Sequence, residues 1–268
     1  MAHTMNGDPA LRQRYEQVLE RIRAACQRAG RPVESVHLLA VSKTFPAESV
    51  LALAALGQRA FGENYLQEAV DKIAACRDER SAGGAGLASA LASASAPAAS
   101  VAPVASAASA AALQWHFIGP IQSNKTRPIA EHFDWVHSVD RERIARRLSE
   151  QRPADMAPLA VCLQVNISGE SSKSGASPAE ALELAPLVAT LPRLALRGLM
   201  AIPAASEDFD EQRRQCAALR ELFERIRARG GVGECFDTLS MGMSADLEAA
   251  ICEGATLVRV GTALFGSR

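Results

Sequence analysis

One lysine, one arginine and two turns rich in glycine and hydroxyls are the residues of this sequence best suited to act on a ligand together. Lys43 follows Val36-His37-Leu38-Leu39-Ala40-Val41-Ser42, an apolar run closed by Phe45-Pro46. Such a run reads as a strand buried on both faces. Its carboxyl end is where parallel α/β folds place their chemistry. A lysine amine can form a Schiff base with an aldehyde once its pKa is lowered. On this stretch alone a solvated lysine at a strand end is the weightier reading. Two later segments reverse it. Ser240-Met241-Gly242-Met243-Ser244 ends a strand with Ser244 as the expected cap of a short helix, and Arg259-Val260-Gly261-Thr262 lies in the last strand. Taken singly, Gly242 and Gly261 suit tight packing and Ser244 is an ordinary N-cap. Beside a strand-one lysine they converge as a phosphate dianion requires, on hydroxyls, glycine backbone and a helix start.

The elements that must position these residues are legible from periodicity. Tyr15, Val18, Leu19, Ile22, Ala25, Cys26 and Ala29 recur at helical spacing, which predicts a helix ahead of the first strand. Strands are expected at Val36–Lys43, Arg59–Asn64, Gln114–Gly119, Phe133–Val139, Leu159–Asn166, Leu194–Ile202, Thr238–Met243 and Thr256–Leu264. Each but the last is followed by a helix, one of them spanning Tyr65–Cys76 and another capped by Asp140. Eight βα units predict an α/β fold, a single (β/α)8 TIM barrel with an extra N-terminal helix. An open doubly wound sheet is the runner-up. The carboxyl ends of those strands carry Lys43, Asn64, His116, Asn166, Met200, Ser240 with Met241 and Ser244, and Arg259 with Gly261 and Thr262. Residues 1–8 read as a disordered tail and 9–268 as the barrel domain. Within it, 81–112 is an uncharged Ala/Ser-rich insertion, expected to be disordered. It is the sole support for an interaction-tether reading; deleting 81–112 is expected to leave ligand binding unchanged.

Composition narrows the function. The chain has 268 residues, 48% of them hydrophobic, with a formal net charge of -1. That gives no electrostatic case for nucleic acid or a membrane surface, and no apolar run approaches membrane-helix length. The six cysteines are scattered, without a Cys-x-x-Cys pair, as in a reduced cytoplasmic protein. Metal-ligand spacings, a Gly-x-Ser-x-Gly elbow and a Gly-x-x-x-x-Gly-Lys-Ser/Thr loop are all missing.

The phosphorylated aldehyde that fits is pyridoxal 5'-phosphate (PLP). Lys43 holds its aldehyde in this reading, the last two turns its phosphate, and Arg259 faces its pyridine nitrogen. An arginine there keeps that nitrogen unprotonated and the ring a weak electron sink. The sequence resembles the pyridoxal phosphate homeostasis protein family, small relatives of the alanine racemase barrel. The likeness is carried by Leu38-Leu39-Ala40-Val41-Ser42-Lys43-Thr44, Phe61-Gly62-Glu63-Asn64-Tyr65-Leu66-Gln67-Glu68 and Trp115-His116-Phe117-Ile118-Gly119-Pro120-Ile121-Gln122-Ser123-Asn124-Lys125. It continues through Ser172-Lys173-Ser174-Gly175, Arg197-Gly198-Leu199-Met200-Ala201-Ile202-Pro203, Leu239 to Ser244 and Val258 to Gly266. These blocks fall in order over nearly the whole chain. The resemblance implies covalent PLP at Lys43, Asn64 near the ring, Ser240 and Ser244 near the phosphate, and Gly261 and Thr262 completing its cradle. His116, Met200 and Met241 complete the expected set. It implies a role in vitamin B6 balance without an assigned reaction, with PLP-dependent apoenzymes as recipients.

The alternative is a PLP-dependent racemase. Racemization needs an acid/base on each face of the substrate carbon; in racemases the second is a tyrosine from a further domain of the partner subunit. This chain ends at Arg268, just past strand eight, and its tyrosines are Tyr15 and Tyr65. The expectation is a monomeric binder, with Tyr65 packed. His37, His132 and His137 are expected to be packing or surface residues, and Lys173 a solvated loop charge.

Overall fold

The computed structural model describes residues 8–92, 112–170 and 173–266. Eight strands close on themselves in chain order: β1 (His37–Val41), β2 (Ala60–Glu63), β3 (Gln114–Phe117), β4 (Trp135–Val139), β5 (Leu159–Gln164), β6 (Leu194–Met200), β7 (Thr238–Ser240) and β8 (Leu257–Val260). Every pairing is parallel, and β8 returns to β1 along His37–Ala40. The fold is therefore the expected (β/α)8 barrel. Closure leaves the sheet no edge, which excludes the doubly wound alternative.

The helices are α1 (Pro9–Arg28), α2 (Ala47–Ala55), α3 (Leu66–Ala92), α4 (Thr126–His132), α5 (Glu142–Gln151), α6 (Pro178–Ala189), α7 (Phe209–Arg229), α8 (Leu247–Cys252) and α9 (Thr262–Phe265). β4 and β5 are buried at every position, the pattern of strands covered on both faces. Their alternating side chains make two cores. Phe61, Val136, Leu163, Leu199, Leu239 and Val258 join the helices in the outer core. Trp135, Ala160, Cys162 and Met200 pack together inside the barrel. Each large apolar side chain so buried contributes about 1.5–3 kcal/mol.

The extra helix braces the carboxyl mouth. α1 buries Leu11, Tyr15, Val18, Ile22, Ala25 and Cys26 and packs on α8 and α9. The Arg14 Nε donates to the Leu264 carbonyl at 2.7 Å. Arg21 grips both Glu248 oxygens at 2.8 Å and donates to the Ser244 carbonyl at 2.9 Å. The turns after β7 and β8 are thus tied from behind by a segment more than two hundred residues away in sequence.

Four local expectations are corrected. α3 continues past Cys76 to Ala92, because alanine extends a helix already nucleated upstream; 93–111 of the Ala/Ser stretch and 1–7 of the tail lie outside the described residues. β8 stops at Val260 and Gly261 turns the chain into α9, so the last strand also has its helix. Asp140 does not cap α5: Arg141 holds that position, and the Asp140 carboxylate accepts from its guanidinium at 2.7 Å. Ser244 does not cap α8. Asp246 stands at the N-cap, with its Oδ1 accepting from the Met243 N–H at 2.6 Å.

Gly198 sits where β6 slips register against β5. A Cβ there falls 1.8 Å from the Thr238 carbonyl oxygen, backbone that cannot step aside. Gly198→Ala is expected to cost about 3 kcal/mol or more, read as a lowered urea midpoint with an unchanged slope.

Candidate functional site

Lys43 stands two residues past the end of β1, half-buried at the carboxyl mouth. The backbone before it is stitched to β2 by the Ser42 N–H, which donates to the Gly62 carbonyl at 3.0 Å. Thr44 after it has φ 66°, a left-handed conformation rare for a β-branched residue. Asn64 reaches the same mouth from the end of β2, half-buried. Gly119 permits this: a Cβ there would lie 2.1 Å from the Asn64 carbonyl oxygen.

A second lysine lies against the Lys43 turn. The Lys72 Nζ donates to the Ser42 carbonyl at 2.8 Å, to Glu63 Oε1 at 2.7 Å and to Glu68 Oε1 at 2.9 Å. Those three acceptors match the three N–H bonds of an ammonium, so Lys72 is committed to this turn and not to a ligand. Glu63 is fully buried and also accepts from the Ser42 hydroxyl at 2.7 Å. Burial pushes its carboxyl up, while Lys72 and then Ser42 pull it down. Sequence reading missed this trio. Its signals were Glu63 inside an otherwise apolar strand and the i, i+4 spacing of Glu68 and Lys72.

Arg259 is 4% exposed inside the barrel. Its Nη1 donates to Ser240 Oγ and its Nη2 to the Ala201 carbonyl, both at 2.8 Å. Among the described residues no ion pair includes it. Burial alone lowers its pKa, to about 10, with Asp246 the first charge opposing. It stays a cation at neutral pH, buried without a carboxylate in contact, a costly state that an acceptor-rich ligand relieves.

Ser240 is fully buried, and its Oγ also lies 2.8 Å from His137 Nδ1. Arg259 can only donate, so Ser240 accepts from it and its own proton goes to His137 Nδ1. His137 Nε2–H then donates to His116 Nδ1 at 2.9 Å, and His116 Nε2–H to Gln114 Oε1 at 3.1 Å. One directed chain therefore runs from Arg259 through the barrel to β3. Two expectations change. The Ser240 hydroxyl seats Arg259 and is not turned to a phosphate. His116 stacks on Trp135 at 5.2 Å and lines a cavity of about 460 Å³ at the amino-terminal mouth, with Gln58, Arg59, Gln114 and Arg197. Neither Lys43 nor the β7 and β8 turns border that cavity, so it is not the candidate site. His137, expected to be a packing or surface residue, is an interior member of the chain.

The remaining residues divide. Met200, the last residue of β6, is buried with Trp135 inside the barrel. Met241 is buried in the outer core, away from the lumen, and its N–H is taken by the Leu257 carbonyl at 3.1 Å; its side chain is not part of the site. Ser244 is half-buried, and its Oγ accepts from the Ala263 N–H at 3.5 Å. That contact joins the β7 turn to the Gly261–Thr262 start of α9. Gly242 has φ 93°, and a Cβ there would meet Ala250 Cβ at 2.7 Å, so packing accounts for it. Tyr65, expected to pack, is 54% exposed. Lys173 is part-buried and paired with Glu170 at 3.0 Å, where a solvated charge was expected. Among the described residues no group of His, Cys, Asp and Glu can hold a metal.

The arrangement offers the Lys43 amine, the buried Arg259 cation and a turn pair with hydroxyl and backbone donors, which suits a phosphorylated carbonyl ligand. Comparison with known proteins gives the same outline. The model of the alanine racemase N-terminal domain family matches residues 14–268. The pyridoxal phosphate homeostasis protein of Pseudomonas aeruginosa is 54% identical over 94% of this chain and 93% of that protein. Among solved structures, an unknown protein from Bifidobacterium adolescentis superposes with a TM-score of 0.81 at 36% identity, covering 96% of this chain and 97% of that one. PipY of Synechococcus elongatus, solved with PLP bound, superposes at 0.71 with 34% identity, covering 93% of this chain and 100% of that one.

Proposed function

The chain belongs to the alanine racemase N-terminal domain family, and within it to the pyridoxal phosphate homeostasis proteins, and on that premise we propose that it holds PLP covalently on Lys43 and releases it to apoenzymes in the cytoplasm, as a monomer without a reaction of its own. The observation that carries the reading is Arg259, a buried cation inside the barrel with no carboxylate of the described residues in contact, on the strand paired with β1, at whose carboxyl end the half-buried Lys43 stands. The bound cofactor supplies a reactive aldehyde, and everything else is done by residues of this chain. Lys43 supplies the amine. Arg259, seated by Ser240 and the Ala201 carbonyl, donates toward the ring nitrogen and keeps a proton off it, because a guanidinium gives up no proton near neutral pH. Ser244, Gly261 and Thr262 take the phosphate with hydroxyl and backbone donors. Asn64 lines the ring edge.

A weak electron sink suits a carrier. The racemase reading needs a second acid/base. Tyr15 is on the buried face of α1, with its phenol pushed up by burial, and Tyr65 is 54% exposed. The test is the visible spectrum of the protein with PLP, then borohydride reduction and peptide mapping. A band near the visible edge and a reduced adduct on the peptide containing Lys43 support the reading. A colourless protein that takes up no added PLP sinks it. Exchange of the alanine α-proton in heavy water, at background for a carrier and above it for a racemase, separates the two.

A further inference from the structure

We propose that Lys72, acting with Glu68 and Glu63, is the positioning group for Lys43. The inference rests on the covalent role of Lys43. Two peptide groups flank the Cα of Lys43, and their planes fix its φ and ψ. The plane before it carries the Ser42 carbonyl, which accepts from Lys72 Nζ at 2.8 Å. The plane after it carries the Thr44 N–H, which donates to Glu68 Oε1 at 2.5 Å. Glu68 Oε1 accepts from the same Lys72 Nζ at 2.9 Å. A single ammonium on α3 therefore clamps both planes. Its third hydrogen goes to Glu63 at 2.7 Å, which anchors the clamp to the end of β2.

The clamp has work to do. Thr44 at φ 66° is strained, and a strained residue persists only where its surroundings over-determine it. Without the Glu68 contact the Ser42–Thr44 turn can relax toward ordinary backbone, which swings the Lys43 side chain off the mouth. A displacement of about 1 Å at a reacting group commonly costs about a hundredfold in rate. The junction is also asymmetric in burial: the side chains of Lys72 and Glu63 are 4% and 0% exposed, that of Glu68 34%. Glu68 is the member that can be changed without emptying the interior.

Three variants test the clamp: Glu68→Ala, Glu68→Gln and Lys72→Met. Two readouts are followed, the rate at which borohydride-trapped PLP appears on the Lys43 peptide and, without PLP, amide hydrogen exchange at Thr44. Glu68→Ala is expected to slow trapping about tenfold or more and to speed Thr44 exchange, with a melting temperature close to wild type. Glu68→Gln keeps an oxygen for the Thr44 N–H and is expected to recover most of the rate. Lys72→Met is expected to lower both rate and stability, since it strands the Glu63 charge. Wild-type trapping and Thr44 exchange in Glu68→Ala would overturn the clamp while leaving the function intact. An equal loss in Glu68→Ala and Glu68→Gln would assign the effect to charge and overturn it as well. A wild-type protein that forms no adduct on Lys43 would instead remove the function on which it rests.

Discussion

Lys43→Ala is expected to abolish the borohydride-stable PLP adduct entirely while leaving a folded barrel that still binds the cofactor, about tenfold or more weaker. The loss is complete because the amine has no substitute nearby. Lys72, packed against the Lys43 turn, has all three ammonium hydrogens committed to Ser42, Glu63 and Glu68, and Lys173, in the loop after β5, is paired with Glu170 at 3.0 Å. Residual binding follows from donors that the substitution leaves alone, namely Arg259, Ser244 and the Gly261–Thr262 backbone. The fold survives because Lys43 is half-buried in a turn beyond β1 and fills no core position. Mass mapping after reduction, with a melting curve beside it, checks each part. An adduct that moves to Lys72 would show that the ammonium assignment is wrong. An unfolded variant would make Lys43 a structural residue and remove the chemical argument.

The fold was legible because burial dictates it. Continuous apolar strands alternating with amphipathic helices admit few solutions, and eight such units close a barrel. Placement was legible where it follows from the strand pattern, as with Lys43 just past β1 and Arg259 within β8. It was not legible where the partner is distant in sequence. Ser240 reads as a phosphate hydroxyl in a Ser-Met-Gly-Met-Ser turn, and only the barrel shows that His137, 103 residues away, takes its proton. Met241 reads as a site residue by adjacency, yet strand alternation turns it outward into the helices. Lys72 carried no signal beyond its i, i+4 spacing from Glu68, because a buried ammonium and a solvated one look alike in sequence. Ser244 and Asp140 read as caps on the preference of their residue types. The helix starts fell one or two residues later, within the range where neighbouring contacts decide a boundary.

Acidification from pH 6.5 to 4.5 is expected to remove roughly 2 kcal/mol of stability for each of His116 and His137. Both are fully buried. Burial pulls the His116 pKa down to about 3; it also pulls that of His137 well below the ordinary value, helped by His116 and then Arg259. In the unfolded chain both rings titrate near 6.5. Between those values the unfolded chain binds protons that the folded chain refuses, so stability rises with pH across this window and levels off above about 7. The chain of hydrogen bonds makes the refusal specific. His137 Nδ1 accepts from Ser240, and His116 Nδ1 accepts from His137; a proton on either nitrogen sets two donors against each other. Urea titrations at half-unit steps between pH 6.5 and 5 report on the pair, because carboxylates held low by their partners, such as Glu183 and Asp208, lose their contribution only at lower pH, while Glu63, raised by burial, acts with the opposite sign. His116→Gln is expected to reduce the mean slope over this window by about 1 kcal/mol per pH unit. A wild-type stability flat from pH 6.5 to 5 would mean that the rings take up protons in the fold. The directed chain from Arg259 to Gln114 would then not be what seats the guanidinium.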